Sequence, residues 1–238
     1  MRRVHTSVVK IGDIDLDGGE SHHIYDVLRL GEGDEIELFD DHGNTAIAII
    51  VAATGARVTV HVDRISAPTP GFQLTIASAL PKGERADWMI EKLSELGVAR
   101  FVPLQTARSV VHPSGESKLT RWKRLATESA KQSRRPGIMQ IEPLTPLVSL
   151  FSSLPPLGLY LAPIPAAPSL ISIVHPSRMS RLALVIGPEG GWSPEELELF
   201  KAHNIPPVRL TITILRIETA AITAAALAMC SFIPPVSF

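Results

Sequence analysis

The sequence predicts an α/β protein in which a small β-barrel precedes a mostly parallel sheet flanked by helices. Three observations predict it. Short alternating strands fill the first 70 residues, a proline-rich break follows at 67–71, and strands then alternate with amphipathic helices to the end of the chain. The expected domains are therefore 1–70 and 71–238.

In the first domain, Glu35–Phe39, Thr45–Val51 and Arg57–Val62 read as strands. Gly31-Glu32-Gly33-Asp34, Asp41-His42-Gly43-Asn44 and Thr54-Gly55 supply the turns between them. One short helix is expected at Ser21–Leu30, with Ser21 as N-cap and Gly31 just past its end. Several short strands closing on themselves suggest the barrel.

In the second domain, Phe72–Ala79 is an apolar strand, and Glu84–Leu96 a helix that gathers Ala86, Met89, Ile90, Leu93 and Leu96 on one face. Gly97 stops that helix. Phe101–Leu104 is a strand and Leu119–Ser133 a basic helix with Trp122, Leu125, Ala126 and Ala130 inward. Residues 143–176 hold eight prolines around one strand, Leu157–Leu161, and otherwise read as loop. Leu182–Ile186 is a buried strand followed by a helix from Pro194; Val208–Leu215 is a further strand and Ala220–Cys230 the last helix.

Composition narrows the function classes. Hydrophobic residues make up 45% and charged residues 20% of 238, enough for a core that needs no disulfide or metal. Cys230 is the single cysteine, which excludes an intrachain disulfide and predicts a cytoplasmic setting; its alanine-rich, apolar surroundings predict burial. Met1-Arg2-Arg3-Val4-His5 leads into no apolar run of a secretory signal, and Ala220 to Phe232 is too short to span a membrane. Eight histidines, scattered apart from His22-His23, predict no metal site. The net charge of −1 hides a local excess: seven Lys or Arg against Glu128 alone from Lys118 to Arg135. Such a cluster is either a solvated helix face or an RNA contact.

Two segments carry chemistry. In Gly187-Pro188-Glu189-Gly190-Gly191-Trp192-Ser193-Pro194-Glu195-Glu196, a strand enters a glycine-rich loop. A helix follows, with Ser193 as N-cap, Pro194 at its first position and Glu196 completing a capping box. Three glycines at the carboxyl end of a buried strand suit a ligand, although a tight connection without one has the same pattern. No G-x-G-x-x-G, P-loop, H-E-x-x-H or G-x-S-x-G motif occurs, which removes the usual nucleotide, zinc and serine-hydrolase readings. In Ile214-Leu215-Arg216-Ile217-Glu218-Thr219-Ala220-Ala221, a strand ends in Arg216 and Glu218 and a helix of small residues begins at about Thr219, which can cap it.

These two segments together resemble the SPOUT, or trefoil-knot, methyltransferases and, more narrowly, the RsmE family. The similarity spans nearly the whole chain. His22-His23-Ile24, Val27-Leu28-Arg29-Leu30, Gly33-Asp34 and Leu38-Phe39-Asp40 resemble that family's PUA-like RNA-binding domain. Pro81-Lys82-Gly83-Glu84-Arg85, Glu91-Lys92, Glu95-Leu96-Gly97-Val98 and Gln132-Ser133 with Arg135 are similar to its middle, and the two segments above to its knot. The chain departs from the family at Thr211 and Arg134, where Gly is usual, at Ile217, where Thr is usual, and at Lys131, where an acid is usual.

The resemblance implies methylation of N3 of a uridine in small-subunit (16S) ribosomal RNA by S-adenosylmethionine, in a homodimer without metal that acts on the RNA or the assembled small subunit. It implies a cofactor site at Leu161, Ala162, Pro163, Ile186, Gly187, Pro188, Glu189, Gly190, Gly191, Leu210, Ile214, Leu215, Arg216, Thr219 and Ala220. Arg135 and Arg216 are the candidates for stabilising charge on the uracil, and Glu218 or water for taking its proton. Arg2, Arg3, Arg29, Lys82, Arg85, Arg121, Arg124, Arg134 and Arg135 are the expected RNA contacts. A ribose 2′-O-methyltransferase on the same fold and a non-catalytic ribosome-assembly factor are the alternatives.

Overall fold

A computed structural model describes residues 1–54, 57–68, 71–111, 116–174 and 180–232. Gly55 of one expected turn and Thr69-Pro70 of the expected boundary lie outside the described residues. The chain divides into two compact units, Met1–Pro70 with Ala130–Ile138, and Gly71–Ser129 with Met139–Phe238.

The first unit is a five-stranded sheet. Its strands are β1 (Arg2–His5), β2 (Gly12–Asp15), β3 (Glu35–Phe39), β4 (Thr45–Thr54) and β5 (Arg57–Val62), in the order β1-β3-β4-β5-β2. Only β1 and β3 run parallel. Alternation decides the inner face: Ile36, Leu38, Ala46, Ala48, Ile50, Val58, Val60 and Val62 are buried, and Val4 and Ile14 of the edge strands join the same core. Two edges feeding one core make the sheet curl over it. A bulge between Ile50 and Ala52 shifts the register and adds bend.

The expected helix at Ser21–Leu30 begins earlier. Helix α1 (Gly18–His22) is capped by Asp17, which accepts from the Glu20 N–H, and runs on into a π-helical turn, His23–Val27. Ser21 is instead wholly buried, its hydroxyl donating to Leu16 O and accepting from Val58 N–H. Both residues are cap-formers; the one nearer β2 takes the role. Arg29, not Gly31, supplies the left-handed residue after the turn, with φ 56°. Arg134, where the resembled family carries Gly, also sits at φ 55° and carries the steric cost of that region; Thr211 does not adopt positive φ.

Asp40 is the polar hub of this unit. It is fully buried and accepts from the backbone N–H groups of Val9, His42 and Asn44 and from the Asn44 side chain. Burial by itself pushes its pKa up, but these four donors together outweigh burial and hold it below the usual carboxylate value. The stability it adds is therefore full above the unfolded-state pKa, about 3.9, and is lost as pH falls through the lower folded value. Asp40→Asn is expected to cost about 2 kcal/mol at neutral pH and to flatten the acid limb of the stability curve, measured by urea melts from pH 7 to 3.

The second unit is a parallel sheet. Its main strands are β6 (Gln73–Ser78), β7 (Arg100–Gln105), β8 (Gln140–Ile141), β10 (Gly158–Leu161), β11 (Arg181–Ile186) and β12 (Pro207–Val208), in the order β12-β10-β11-β6-β7-β8; β9 (Thr145–Pro146) pairs with β7. Central β6 and β11 are buried on both faces, hence their unbroken apolar runs. On one face, Ala77, Val102, Leu104, Tyr160 and Val185 pack with Leu147 and Leu150 of α4 (Leu147–Leu150) and Phe200 of α6 (Pro194–Ala202). On the other, α7 (Ile217–Cys230) packs against β6, β11 and α2 (Arg85–Glu95). In α3 (Glu116–Ser133), Trp122, Ala126, Ser129 and Ala130 are buried at helical spacing. Trp122 packs edge-on to Phe101 and donates to Asp87.

Three expectations change here. The proline-rich stretch holds β9, α4, a 3-10 turn at Phe151–Ser153 and α5 (Leu170–Ile173) besides the expected strand. The strand expected at Val208–Leu215 ends at Val208, and Ile212 and Ile214 project from a loop, 93% and 86% exposed. Cys230 is exposed at the last turn of α7, because the helix buries Ala221, Ala224, Ala225 and Ala228 and turns position 230 outward. No helix among the described residues is long and apolar enough to cross a membrane.

Candidate active site

The neighbours β12, β10 and β11 all point the same way, so the loops leaving their carboxyl ends converge. These loops enclose a cleft of about 400 Å³, a volume that suits a small organic cofactor. Leu161–Ile164 line it after β10, Ile186–Trp192 after β11, and Leu210, Thr211 and Thr213–Leu215 after β12; Leu197, Ile217 and Ala220 close it from α6 and α7. Glu189 is the single charged side chain in this lining.

The glycine loop is built as the sequence implies. Ser193 caps α6, its hydroxyl accepting from Glu196 N–H while Glu196 Oε2 accepts from Ser193 N–H. Gly191 turns the chain at φ 70° and donates to Pro188 O. The Trp192 indole N–H donates to Leu161 O at 2.9 Å, which ties the loop after β11 to the loop after β10. Behind it, Trp192, Phe200 and Tyr160 pack ring against ring. A Cβ at Gly187 would stand 2.9 Å from the Trp192 ring, and one at Gly190 3.3 Å from the Arg108 side chain. The cleft is thus walled largely by backbone and apolar surface, and two of its glycines stand where a Cβ would press on Trp192 or on Arg108.

Of the fifteen expected cofactor residues, thirteen line this cleft; Arg216 and Thr219 do not. Arg216 takes the N-cap position of α7 without a side-chain bond, and Thr219 lies exposed inside the helix and caps nothing. Helix α7 begins two residues before Thr219, because Arg216 already has the extended backbone of a cap residue. Glu218 is buried; its Oε1 accepts from Arg85 at 3.2 Å and its Oε2 has no hydrogen-bond partner among the described residues. Sequence reading missed Trp192, Leu197, Thr213 and the clamp from Arg108. Trp192 stood in the quoted segment, whereas nothing in the local pattern marks Arg108.

The expected RNA contacts divide between the units. Arg2, Arg29 and Arg134 are exposed on the first, and Lys82, Arg121 and Arg124 on the second. Arg121 pairs with Asp87, and the half-exposed Arg85 with Glu218. Arg3 leaves the surface: it lies over the Phe39 ring, pairs with Glu37 and donates to Ala130 O, because β1 carries it under the last turn of α3. Arg135 belongs to the first unit and Arg216 to the second. Burial and the nearby Arg3 charge lower the Arg135 pKa to about 10, so it remains a cation at neutral pH.

Comparison with known proteins agrees with this geometry. Residues 68–229 match the family model described as an RNA methyltransferase domain, and residues 16–63 match the RNA methyltransferase PUA domain. Fold and cleft together thus define an RNA methyltransferase with a PUA domain ahead of its parallel α/β unit. Ribosomal RNA small subunit methyltransferase E of Mycobacterium bovis is 33% identical, over 88% of this chain and 83% of its own length. Its Bacillus subtilis namesake is 31% identical, over 87% and 86%. The same enzyme from Neisseria gonorrhoeae, solved bound to S-adenosyl methionine, superposes with a TM-score of 0.82 at 25% identity, covering 95% of each chain. A methyltransferase from Legionella pneumophila solved with SAM superposes equally, at 28% identity over 96% of each. The chain belongs to the family of ribosomal RNA small subunit methyltransferase E.

Proposed function

We propose that this protein binds S-adenosylmethionine in the cleft at the ends of β10, β11 and β12 and methylates N3 of a uridine in small-subunit ribosomal RNA. The observation that carries the reading is that cleft: a backbone-walled slot at the strand ends, in a chain whose relatives hold the same cofactor on the same fold. The residues fit the group. A Cβ at Gly187 would push the Trp192 wall out of place, and the apolar loop after β12 offers an adenine ring a wall. When bound, the cofactor supplies a methyl group on a sulfonium.

The remaining work falls to the chain. Leu161–Ile164 and Ile186–Gly191 hold and orient the ligand, and alignment of the acceptor with the methyl carbon contributes much of the rate. Uridine N3 must lose its proton, and charge then spreads to the ring carbonyl oxygens, where Arg135 and Arg216 are the proposed donors. Glu218 is the proposed proton acceptor at Oε2; its burial means that the first turn of α7 must open for the proton to arrive. Arg2, Arg29, Lys82, Arg124 and Arg134 are proposed to hold phosphates. The working form is proposed to be a homodimer, in which Ile212 and Ile214 find the cover that they lack in one chain, and its place the cytoplasm. The reading gives no step to a metal.

Incubation with small ribosomal subunits and S-adenosylmethionine, followed by digestion and nucleoside analysis, is expected to yield N3-methyluridine. A 2′-O-methylated nucleoside, or no methylated product, would overturn the assignment.

A further inference from the structure

The segment after β7 meets the glycine loop at two points. Ala107 N–H donates to Glu196 Oε1 at 2.7 Å, so the same carboxylate that closes the capping box of α6 also anchors Ala107. One residue on, the Arg108 guanidinium reaches the carbonyl of Gly190 at 2.6 Å, and its Cβ and Cδ lie against that glycine. Gly190 is part of the cleft wall, whereas Arg108 stands outside the lining and is exposed. One Nη–H is committed to the carbonyl. Among the described residues no carboxylate forms an ion pair with this guanidinium, although Glu195 is near enough to feel its charge. A planar guanidinium carries five donors, so a cation held by one arm keeps the others for an anion. The cleft mouth is where the acceptor base must arrive, and an acceptor in RNA brings its phosphates.

We propose that Arg108 is a positioning residue for methyl transfer: it fixes the Gly190 carbonyl in the cleft wall and takes a phosphate of the incoming RNA with its remaining donors. RNA arrival thereby stiffens the loop that holds the cofactor. Cofactor and RNA then bind with positive coupling, because the ordering of Arg108 is common to both. The inference rests on the methyltransferase reading, and it concerns a residue that contacts neither the methyl group nor the base.

Equilibrium dialysis with labelled S-adenosylhomocysteine, with and without saturating small ribosomal subunits, tests it. Wild type is expected to bind about fivefold or more tightly when subunits are present. Arg108→Ala should bind about tenfold more weakly without subunits, the loss of one charge-assisted bond, and gain nothing from them. Arg108→Lys should recover the affinity lost without subunits but not the gain, since one ammonium does not serve carbonyl and phosphate in the geometry of a fork. Lys201→Ala, an exposed cation on α6, should behave as wild type. Coupling that survives in Arg108→Ala, or that is absent from a wild type that binds the ligand, would overturn the role of Arg108. A wild type that binds no ligand would overturn the methyltransferase reading itself.

Discussion

Gly187→Val is expected to weaken S-adenosylmethionine binding by at least about a hundredfold while the second unit stays folded. The added Cβ would stand 2.9 Å from the Trp192 ring, closer than such atoms approach, so the indole must move. Moving it breaks the bond from Trp192 to Leu161 O and shifts two cleft walls together. Gly190→Val should also lose binding, but less, since its Cβ meets an Arg108 side chain that can swing away. Titration calorimetry gives the affinity and a thermal melt the fold. Unchanged affinity in Gly187→Val would remove the cofactor from this cleft.

Arg135→Ala should cut turnover by about a hundredfold or more with little change in RNA affinity, while Arg124→Ala should do the reverse. Arg124 is exposed on α3, a site suited to a phosphate. Its loss should weaken binding to any RNA and lower the log–log salt slope by about one. Arg135 is largely buried beside Arg3 and charged at neutral pH, with its pKa at about 10. A cation already stripped of water stabilises charge on a uracil oxygen more strongly than a hydrated one does. Its contribution should hold from pH 6 to 9, below that pKa, and fade only as pH rises through it. Single-turnover rates at saturating RNA separate the two variants. If Arg135→Ala merely repeats Arg124→Ala, with weaker binding and normal turnover, Arg135 is one more phosphate contact.

Elements whose pattern has a single solution were legible in the sequence. The capping box at Ser193 and Glu196, the α2 face from Ala86 to Leu93, and the buried runs of β6 and β11 lie where their spacing puts them. The glycine loop was legible for the same reason, since a strand end, three glycines and a marked helix start admit few geometries. Alternation failed at 209–215. Thr-Ile-Thr-Ile has the period of a strand, but among the described residues no strand lies beyond β12 to pair with it; Thr211, Thr213 and Ile214 border the cleft instead, and Ile212 projects from the loop. Capping failed at Ser21 and Thr219, where a cap-forming residue lay within a turn of another start. Arg3 read as surface charge because its burial comes from residues 37, 39 and 130. Arg108 had no local signal at all: its partner is a carbonyl 82 positions away.

The order of the parallel sheet also sets when this protein can begin to function during its synthesis. Strand β6 pairs with β7 soon after both are made, but its other edge waits for β11, more than a hundred residues later. Parallel pairing across such a distance must close a long loop first, which makes it slow. Two of the three loops around the cleft come from β11 and β12, and its floor from α7. A nascent chain on the ribosome therefore carries an unsatisfied β6 edge and no cofactor site until its last quarter has emerged. Ligand binding can stabilise the finished chain but can give no help to the growing one.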